Sequence, residues 1–392
     1  MSKSKRRGGK KIKPLKRRAV SNKSTLDPDL LVRKATQKLE DLYLSKRFFD
    51  ELSLDERLKK NLKKKGFIRP TEIQDKTIDL LLKKRDVLGI AQTGTGKTGA
   101  FLIPIVERIL KLNRKPFALI VVPTRELAIQ IDKDFKSITK GLKLFSSCFI
   151  GGTNINKDLQ ELRRTSHIIV GTPRRLLELI KHKALDLKDV NTLVLDEFDR
   201  MLDLGFIKEI EHITGAMHRR QHTMLFSATL EKKQIPSIRE ILYEPITVKL
   251  NKQATAGEHI EQDVITFKND DDRFKLLTDM LNQKEFDKVL IFDETREGVN
   301  NLCERLNNEG IKAFQIHGDL TQEQRIKSLQ GFKLGETSIL VATDVAARGI
   351  DVAEITQVIN YQIPMTFDQY IHRIGRTGRA GKQGKAFTFV EN

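Results

Sequence analysis

The chain has 392 residues, 39% of them apolar and 31% charged, with a formal net charge of +19 at pH 7. That length accommodates two domains of ordinary size, and the composition is that of a globular protein with a heavily charged surface. No run approaches the ~18 apolar residues that span a bilayer. The basic start lacks the apolar core of a signal peptide. Two distant cysteines, Cys148 and Cys303, exclude a disulfide framework and a cysteine-ligated zinc site, which fits a reducing compartment.

Residues 1–24 hold eleven Lys or Arg and no acid. Such a run is either a solvated tail or an arm for a polyanion, whose grip would weaken as salt rises. Helical periodicity follows around Leu30–Leu44. Residues 1–45 are therefore read as a basic tail plus a lead-in helix.

From Phe48 onward, short apolar runs alternate with helical stretches. "DVLGIA" (86–91), "ALIVVP" (118–123), "HIIVGTP" (167–173), "TLVLDE" (192–197) and "TMLFSAT" (223–229) have the near-continuous apolar character of strands buried on both faces. Segments such as "GAFLIPIVERIL" and "RRLLELIKH" separate them as helices. The polar stretch 251–263 reads as a linker. The rhythm then restarts with "KVLIFDET" (288–295), "KAFQIHG" (312–318), "SILVATD" (338–344), "QVINYQI" (357–363) and "AFTFVE" (386–391). The expectation is an α/β fold of two tandem domains, 46–250 and 264–392, each a mostly parallel sheet flanked by helices, with a cleft between them. Open sheets of this kind bind ligands at the carboxyl ends of their strands.

"AQTGTGKT" stands at such a strand end, before a helix. Gly94 and Gly96 would let backbone N–H groups turn toward phosphates at the helix N-terminus, with Ala91, Gln92, Thr93 and Thr95 completing the loop. Lys97 would reach the β/γ-phosphates and Thr98 would ligate Mg²⁺. The strict phosphate-loop pattern fails only at its first position, Ala91. About a hundred residues on, "DEFD" ends another strand. Asp196 suits the metal side and Glu197 suits polarising the attacking water.

Taken in order, "GFIRPTEIQ", "AQTGTGKT", "PTRELA", "GG", "TPRR", "DEFD", "SAT", "HGDLTQEQR", "ATDVAARGID" and "HRIGRTGRAG" resemble the motif set of the DEAD-box RNA helicases. These are superfamily 2 ATPases with two RecA-like domains, and the resemblance covers residues 48–392. It implies that Gln74 reads adenine and that Phe67 packs near the base, with Phe49 as the upstream aromatic; core packing is the alternative for both rings. It assigns Asp351 to the ribose, and Arg376 and Arg379 to the γ-phosphate as arginine fingers. Asp199, Ser227, Thr229 and His372 would couple nucleotide state to domain closure. Thr124, Arg125, Gly152, Thr172 and Arg175 in the first domain, with Arg325 and Thr343 in the second, would grip RNA through its sugar-phosphate backbone and with little sequence preference.

The implied activity is RNA-stimulated ATP hydrolysis coupled to local duplex release, with ATP and Mg²⁺ as cofactors. An ATP-gated RNA clamp and a DNA helicase are the competing readings. The complete set Lys97, Glu197, Arg376 and Arg379 argues against the clamp, and Gln74 against the DNA enzyme. The expectation is a monomer in the cytoplasm, in a ribonucleoprotein or ribosome-assembly setting; a nuclear or nucleolar site is the alternative if the source is eukaryotic. Two departures stand out. Arg174 replaces the usual glycine of "TPRR", adding a cation beside the RNA track. Phe198 replaces the alanine of the acidic motif and is expected to pack between sheet and helix, clear of the chemistry.

Overall fold

A computed structural model describes residues 26, 31–32, 44–92, 94–112, 117–250, 260–347, 355–378 and 383–392. The basic tail, most of the lead-in helix, Thr93, Asp351 and Arg379 therefore lie outside the described residues.

The first unit runs α1 (Glu56–Lys64), α2 (Glu72–Leu82), β1 (Val87–Ile90), α3 (Lys97–Leu112), β2 (Ala118–Val121), α4 (Arg125–Ile138), β3 (Ser146–Phe149) and α5 (Ile155–Glu161). It continues with β4 (Ile168–Gly171), α6 (Pro173–Lys181), β5 (Thr192–Leu195), α7 (Phe198–Asp203), α8 (Ile207–Gly215), β6 (His222–Ser227), α9 (Ile235–Ile241) and β7 (Ile246–Lys249). Its strands form one sheet in the order β3-β4-β2-β5-β6-β1-β7. Every pairing in it is parallel.

The second unit comprises β8 (Ile260–Phe267), α10 (Asp270–Leu281), β9 (Val289–Asp293), α11 (Arg296–Asn308), β10 (Ala313–Ile316) and α12 (Gln322–Leu334). After these come β11 (Ile339–Thr343), α13 (Asp344–Ala347), β12 (Gln357–Asn360), α14 (Phe367–Ile374) and β13 (Gly384–Glu391). Its sheet has the order β10-β11-β9-β12-β13-β8, again parallel throughout.

Both sheets are three-layer sandwiches, and the apolar runs show why. Along β2, Ala118 and Ile120 enter one core, while Leu119 and Val121 enter the core on the opposite face. Along β9, Val289 and Ile291 face one side and Leu290 and Phe292 the other. A strand covered on both faces cannot alternate with polar residues, so its sequence is apolar throughout.

The sheets also contain strands that the apolar pattern misses. β3 reads "SSCF", and its Ser146 hydroxyl is taken up by Asp132 at 2.6 Å. β7 pairs only along one edge, with β1. β8 begins at Ile260, so 260–263 belong to a strand and the polar linker is shorter than expected. There Ile260 and Gln262 are buried while Glu261 and Asp263 are exposed. A strand with one wet face alternates and imitates a loop in composition. Upstream, Leu31 is fully buried against Ile260, Tyr370, Ile374 and Ala386 of the second unit.

Candidate active site and nucleic-acid face

The candidate residues of the first unit gather at the carboxyl ends of β1, β2, β4, β5 and β6. After β1 the chain turns through Gly94 and Gly96, at φ of +87° and +91°. Only glycine adopts these angles without strain. Space forbids a side chain as well: a Cβ on Gly96 would meet Gln74 Nε2 at 2.7 Å. Lys97, first in α3, is 5% exposed, and its Nζ has no hydrogen-bond partner among the described residues. A buried ammonium is costly unless paired, so this atom fits a phosphate oxygen. Thr98 is half-buried beside it, and the Thr95 hydroxyl donates to the carbonyl of Gln92 at 2.8 Å.

Gln74 is buried on α2. Its Nε2 donates to the Gly96 carbonyl at 3.0 Å and its Oε1 accepts the Thr71 N–H at 3.0 Å. The amide thus locks the helix start to the phosphate loop. A second N–H and a second lone pair remain for a base. Phe67 lines the same cleft and meets the fully packed Phe49 edge-to-face at 5.9 Å. Phe49 is therefore core, and Phe67 reaches both core and cleft.

The acidic strand end closes the other side. Asp196 is 3% exposed, and its Oδ1 accepts the Glu197 N–H at 2.9 Å. Burial pushes its carboxyl up to about 6, opposed by the nearby Lys97. Glu197 sits in the left-handed region at φ +53° and ψ +51°. A non-glycine residue there costs about 1–2 kcal/mol, and the bend aims its carboxylate along the cleft. Asp199 Oδ2 accepts the backbone N–H groups of Ala228 and Thr229, each at 3.0 Å, and the Thr229 hydroxyl at 3.2 Å. Its own N–H donates to the Ser227 hydroxyl at 3.3 Å. Those bonds tie "DEFD" to "SAT". Phe198 is fully buried in the apolar layer containing Leu195, Met201 and Leu225.

The second unit completes the cleft. Arg376, 4% exposed, lines the same cavity of about 590 Å³ as Gln74, Gly96, Lys97, Asp196 and Glu197. His372 faces a neighbouring cleft with Asp199 and Thr229, and Glu197 and Arg376 line both clefts.

The expected RNA residues occupy the adjoining strand ends. Thr124 caps α4, where its hydroxyl accepts the Leu127 N–H at 3.4 Å. Gly152 lies at φ +78°, and a Cβ there would stand 2.4 Å from Nη1 of Arg125. Thr172, before α6, accepts the Gly151 N–H at 3.4 Å. Thr343 ends β11 and is buried. Arg175 is only 5% exposed and turns inward: Nε donates to the Ile150 carbonyl at 3.1 Å and Nη2 to the Thr153 carbonyl at 2.6 Å. It holds the glycine loop in shape from beneath. Arg125 reaches across to Gln322 at 3.3 Å, and Arg325 pairs with Glu126 at 2.9 Å. Both contacts join the two units. Arg174 stays exposed, stacked 5.3 Å over Phe206 and 3.5 Å from Glu209.

Sequence reasoning passed over Arg200. Buried behind Glu197, it contacts both that carboxylate and the second unit. The signal for it was slight, a cation one position after the acidic motif.

Comparisons with known proteins agree with this geometry. Residues 71–237 match the DEAD/DEAH box helicase family, and residues 272–381 match the helicase conserved C-terminal domain. The DEAD-box ATP-dependent RNA helicase CshA of Geobacillus kaustophilus is 42% identical over 87% of this chain and 73% of its own length. Saccharomyces cerevisiae Dbp5 bound to RNA and ADP BeF3 superposes with a TM-score of 0.80 at 32% identity, covering 88% of this chain and 90% of that one. A DEAD box protein from Methanococcus jannaschii is closer in sequence, 39% identical over 88% of this chain and 93% of its own, yet scores 0.52. Among the described residues no helix is long and apolar enough to cross a membrane. The chain belongs to the DEAD-box family of ATP-dependent RNA helicases.

Proposed function

We propose that this helicase works by a closure cycle in which ATP·Mg²⁺ and RNA together hold the two units in contact, and hydrolysis releases them. The observation that carries the reading is the split cavity: Lys97, Asp196 and Glu197 come from one unit and Arg376 from the other. Lys97 binds the β/γ-phosphates, Glu197 accepts a proton from the attacking water, and Arg376 stabilises charge on the transferring phosphoryl group. Thr98 and Asp196 would hold Mg²⁺, which neutralises phosphate charge when bound. Gln74 selects adenine with its remaining amide valences, and Phe67 supports the base. Arg379 and Asp351, outside the described residues, are assigned to the γ-phosphate and the ribose by their motifs.

RNA runs over Thr124, Arg125, Gly152 and Thr172 and meets Arg325 and Thr343 on the second unit. Arg175 acts by fixing the loop that presents Gly152. Because both ligands favour the same closed arrangement, each raises the other's affinity by the same factor. We place the protein in the cytoplasm as a monomer acting on ribonucleoprotein, with domains at 46–250 and 260–392 and the basic tail as an RNA-binding arm.

The test is ATP turnover of the purified chain with and without RNA, beside duplex release with ATP and with a non-hydrolysable analogue. Turnover indifferent to RNA would defeat the coupling, and equal sustained release with the analogue would make the protein a clamp.

A further inference from the structure

Arg200 stands between the acid assigned as general base and the second unit. Its side chain is 6% exposed, with Nη1 donating to Oε2 of Glu197 at 3.4 Å. Its Nη2 donates to the backbone carbonyl of Val345 at 2.7 Å. Val345 lies in α13, whose first residue, Asp344, grips Arg373 through two bonds of 2.8 and 2.7 Å. Arg373 is itself buried in α14, where it also donates to the Gln362 carbonyl at 2.6 Å. The same helix carries His372 and leads directly into Arg376. An unbroken set of contacts therefore joins the Glu197 carboxylate to the helix that delivers the cation opposite it.

The fork of a guanidinium suits this place, because it donates in two fixed directions from one plane. Both bonds form together only when the second unit is seated. With the units apart, the Val345 carbonyl no longer holds Nη2 of Arg200. The bond from Arg200 to the Glu197 carboxylate then lacks the brace that the second unit supplies.

We propose that Arg200 is a positioning residue through which seating of the second domain orients the general base Glu197, so that hydrolysis waits for closure. This rests on the reading of Glu197 as base and goes beyond the motif assignments, which give Arg200 no part. The closed domains are held independently by Arg325–Glu126 and Arg125–Gln322, so loss of Arg200 impairs the chemical step more than closure.

The test uses the full chain and two readouts. One is single-turnover hydrolysis at saturating ATP and RNA. The other is retention of RNA by ADP with beryllium fluoride, which reports closure without chemistry. Arg200→Gln is expected to slow hydrolysis about 10–100-fold, the range that misorientation of a catalytic group costs, while RNA retention changes less than about 3-fold. Arg200→Lys, which can reach one partner at a time, should recover an intermediate rate. In a Glu197→Gln background, Arg200→Gln should add no further loss, since residues acting through one another are not additive. An unchanged hydrolysis rate in Arg200→Gln overturns the proposal. So does a loss of hydrolysis matched by an equal loss of RNA retention, which makes Arg200 a latch between domains only. Full activity of Glu197→Gln alone would instead defeat the base assignment on which the proposal stands.

Discussion

In the nucleotide cleft, Lys97 keeps a buried ammonium with no hydrogen-bond partner among the described residues, and Asp196 keeps a buried carboxyl whose charged form burial disfavours and Lys97 favours. On the neighbouring face proposed for RNA, Arg175 is as deeply set and Arg325 is half-buried, yet the first donates to two loop carbonyls and the second pairs with Glu126. Both regions are built from the ends of the same parallel strands. The cleft stores unsatisfied charge that a ligand must complete, whereas the face spends its cations on holding its own shape and on joining the domains. Nucleotide binding should therefore relieve a cost already present in the fold. RNA binding should depend on how well a pre-formed surface is kept in register.

The largest expected effect tests the first half of that contrast. Lys97→Met should lower ATP affinity at least about 100-fold and abolish measurable turnover, because the missing cation faced the phosphates. The same change removes a buried ammonium that makes no hydrogen bond, but also the charge that opposes the desolvation of Asp196, so the melting temperature of the ligand-free protein should change little. A marked fall in melting temperature would show that the Lys97–Asp196 attraction satisfies the ammonium and that the cleft is not held in an unsatisfied state.

Arg175→Met should do the opposite. It leaves the Ile150 and Thr153 carbonyls and the Asp158 carboxylate without their donor, at a cost of about 3–5 kcal/mol in unfolding free energy. RNA-dependent KM should rise about 10-fold as the Gly152 loop relaxes, with kcat at saturating RNA nearly kept. Equal KM in the two proteins, at a confirmed loss of stability, would break the claim that loop shape sets RNA affinity.

A smaller effect comes from pH. With its carboxyl at about 6, folded Asp196 takes up a proton before the unfolded chain does, so this group's burial costs stability above that value and the cost fades as pH falls. A metal ion requires the ionised form. Lowering pH from 7.5 to 5.5 should thus weaken Mg²⁺-dependent ATP binding about fourfold while the ligand-free protein gains stability from this site. Titrating ATP by calorimetry at both values, with and without Mg²⁺, separates the carboxyl from the phosphates themselves. Asp196→Asn should remove the pH dependence.

The same contrast explains what was legible in the sequence. The strands at 118–121 and 168–171 announce themselves because burial on both faces forces apolar residues at every position. The phosphate loop is legible because its glycines, its lysine and the flanking strand and helix are constrained together. Arg175 was read as an RNA contact because a cation in a nucleic-acid motif looks like one; only the fold reveals that loop carbonyls claim it. Arg200 was invisible for a related reason, since its second partner is the carbonyl of Val345, and a carbonyl belongs to every residue type. The first four residues of β8 were taken for linker because a strand with one wet face has the composition of a loop.

Phe198 belongs to neither region, and the expected effect of removing it on turnover is the smallest. It stands between Glu197 and Asp199, so its backbone is part of the site, yet its ring is fully buried in the apolar layer with Leu195, Met201 and Leu225. The polar work is done on either side: Glu197 turns toward the cleft, and Asp199 holds Ala228 and Thr229. Phe198→Ala should cost about 3–5 kcal/mol of stability, as other buried aromatic truncations do, with RNA-stimulated kcat changed less than about twofold at temperatures where the fold is kept. Denaturant unfolding and turnover measured on one preparation settle both halves. A fall in kcat without a fall in stability would mean that the ring sets the left-handed bend of Glu197 and reaches the chemistry through the backbone. A fall in stability alone would mean that the motif tolerates Phe at its third position because that position faces the core, a direction in which neither nucleotide nor RNA makes a demand.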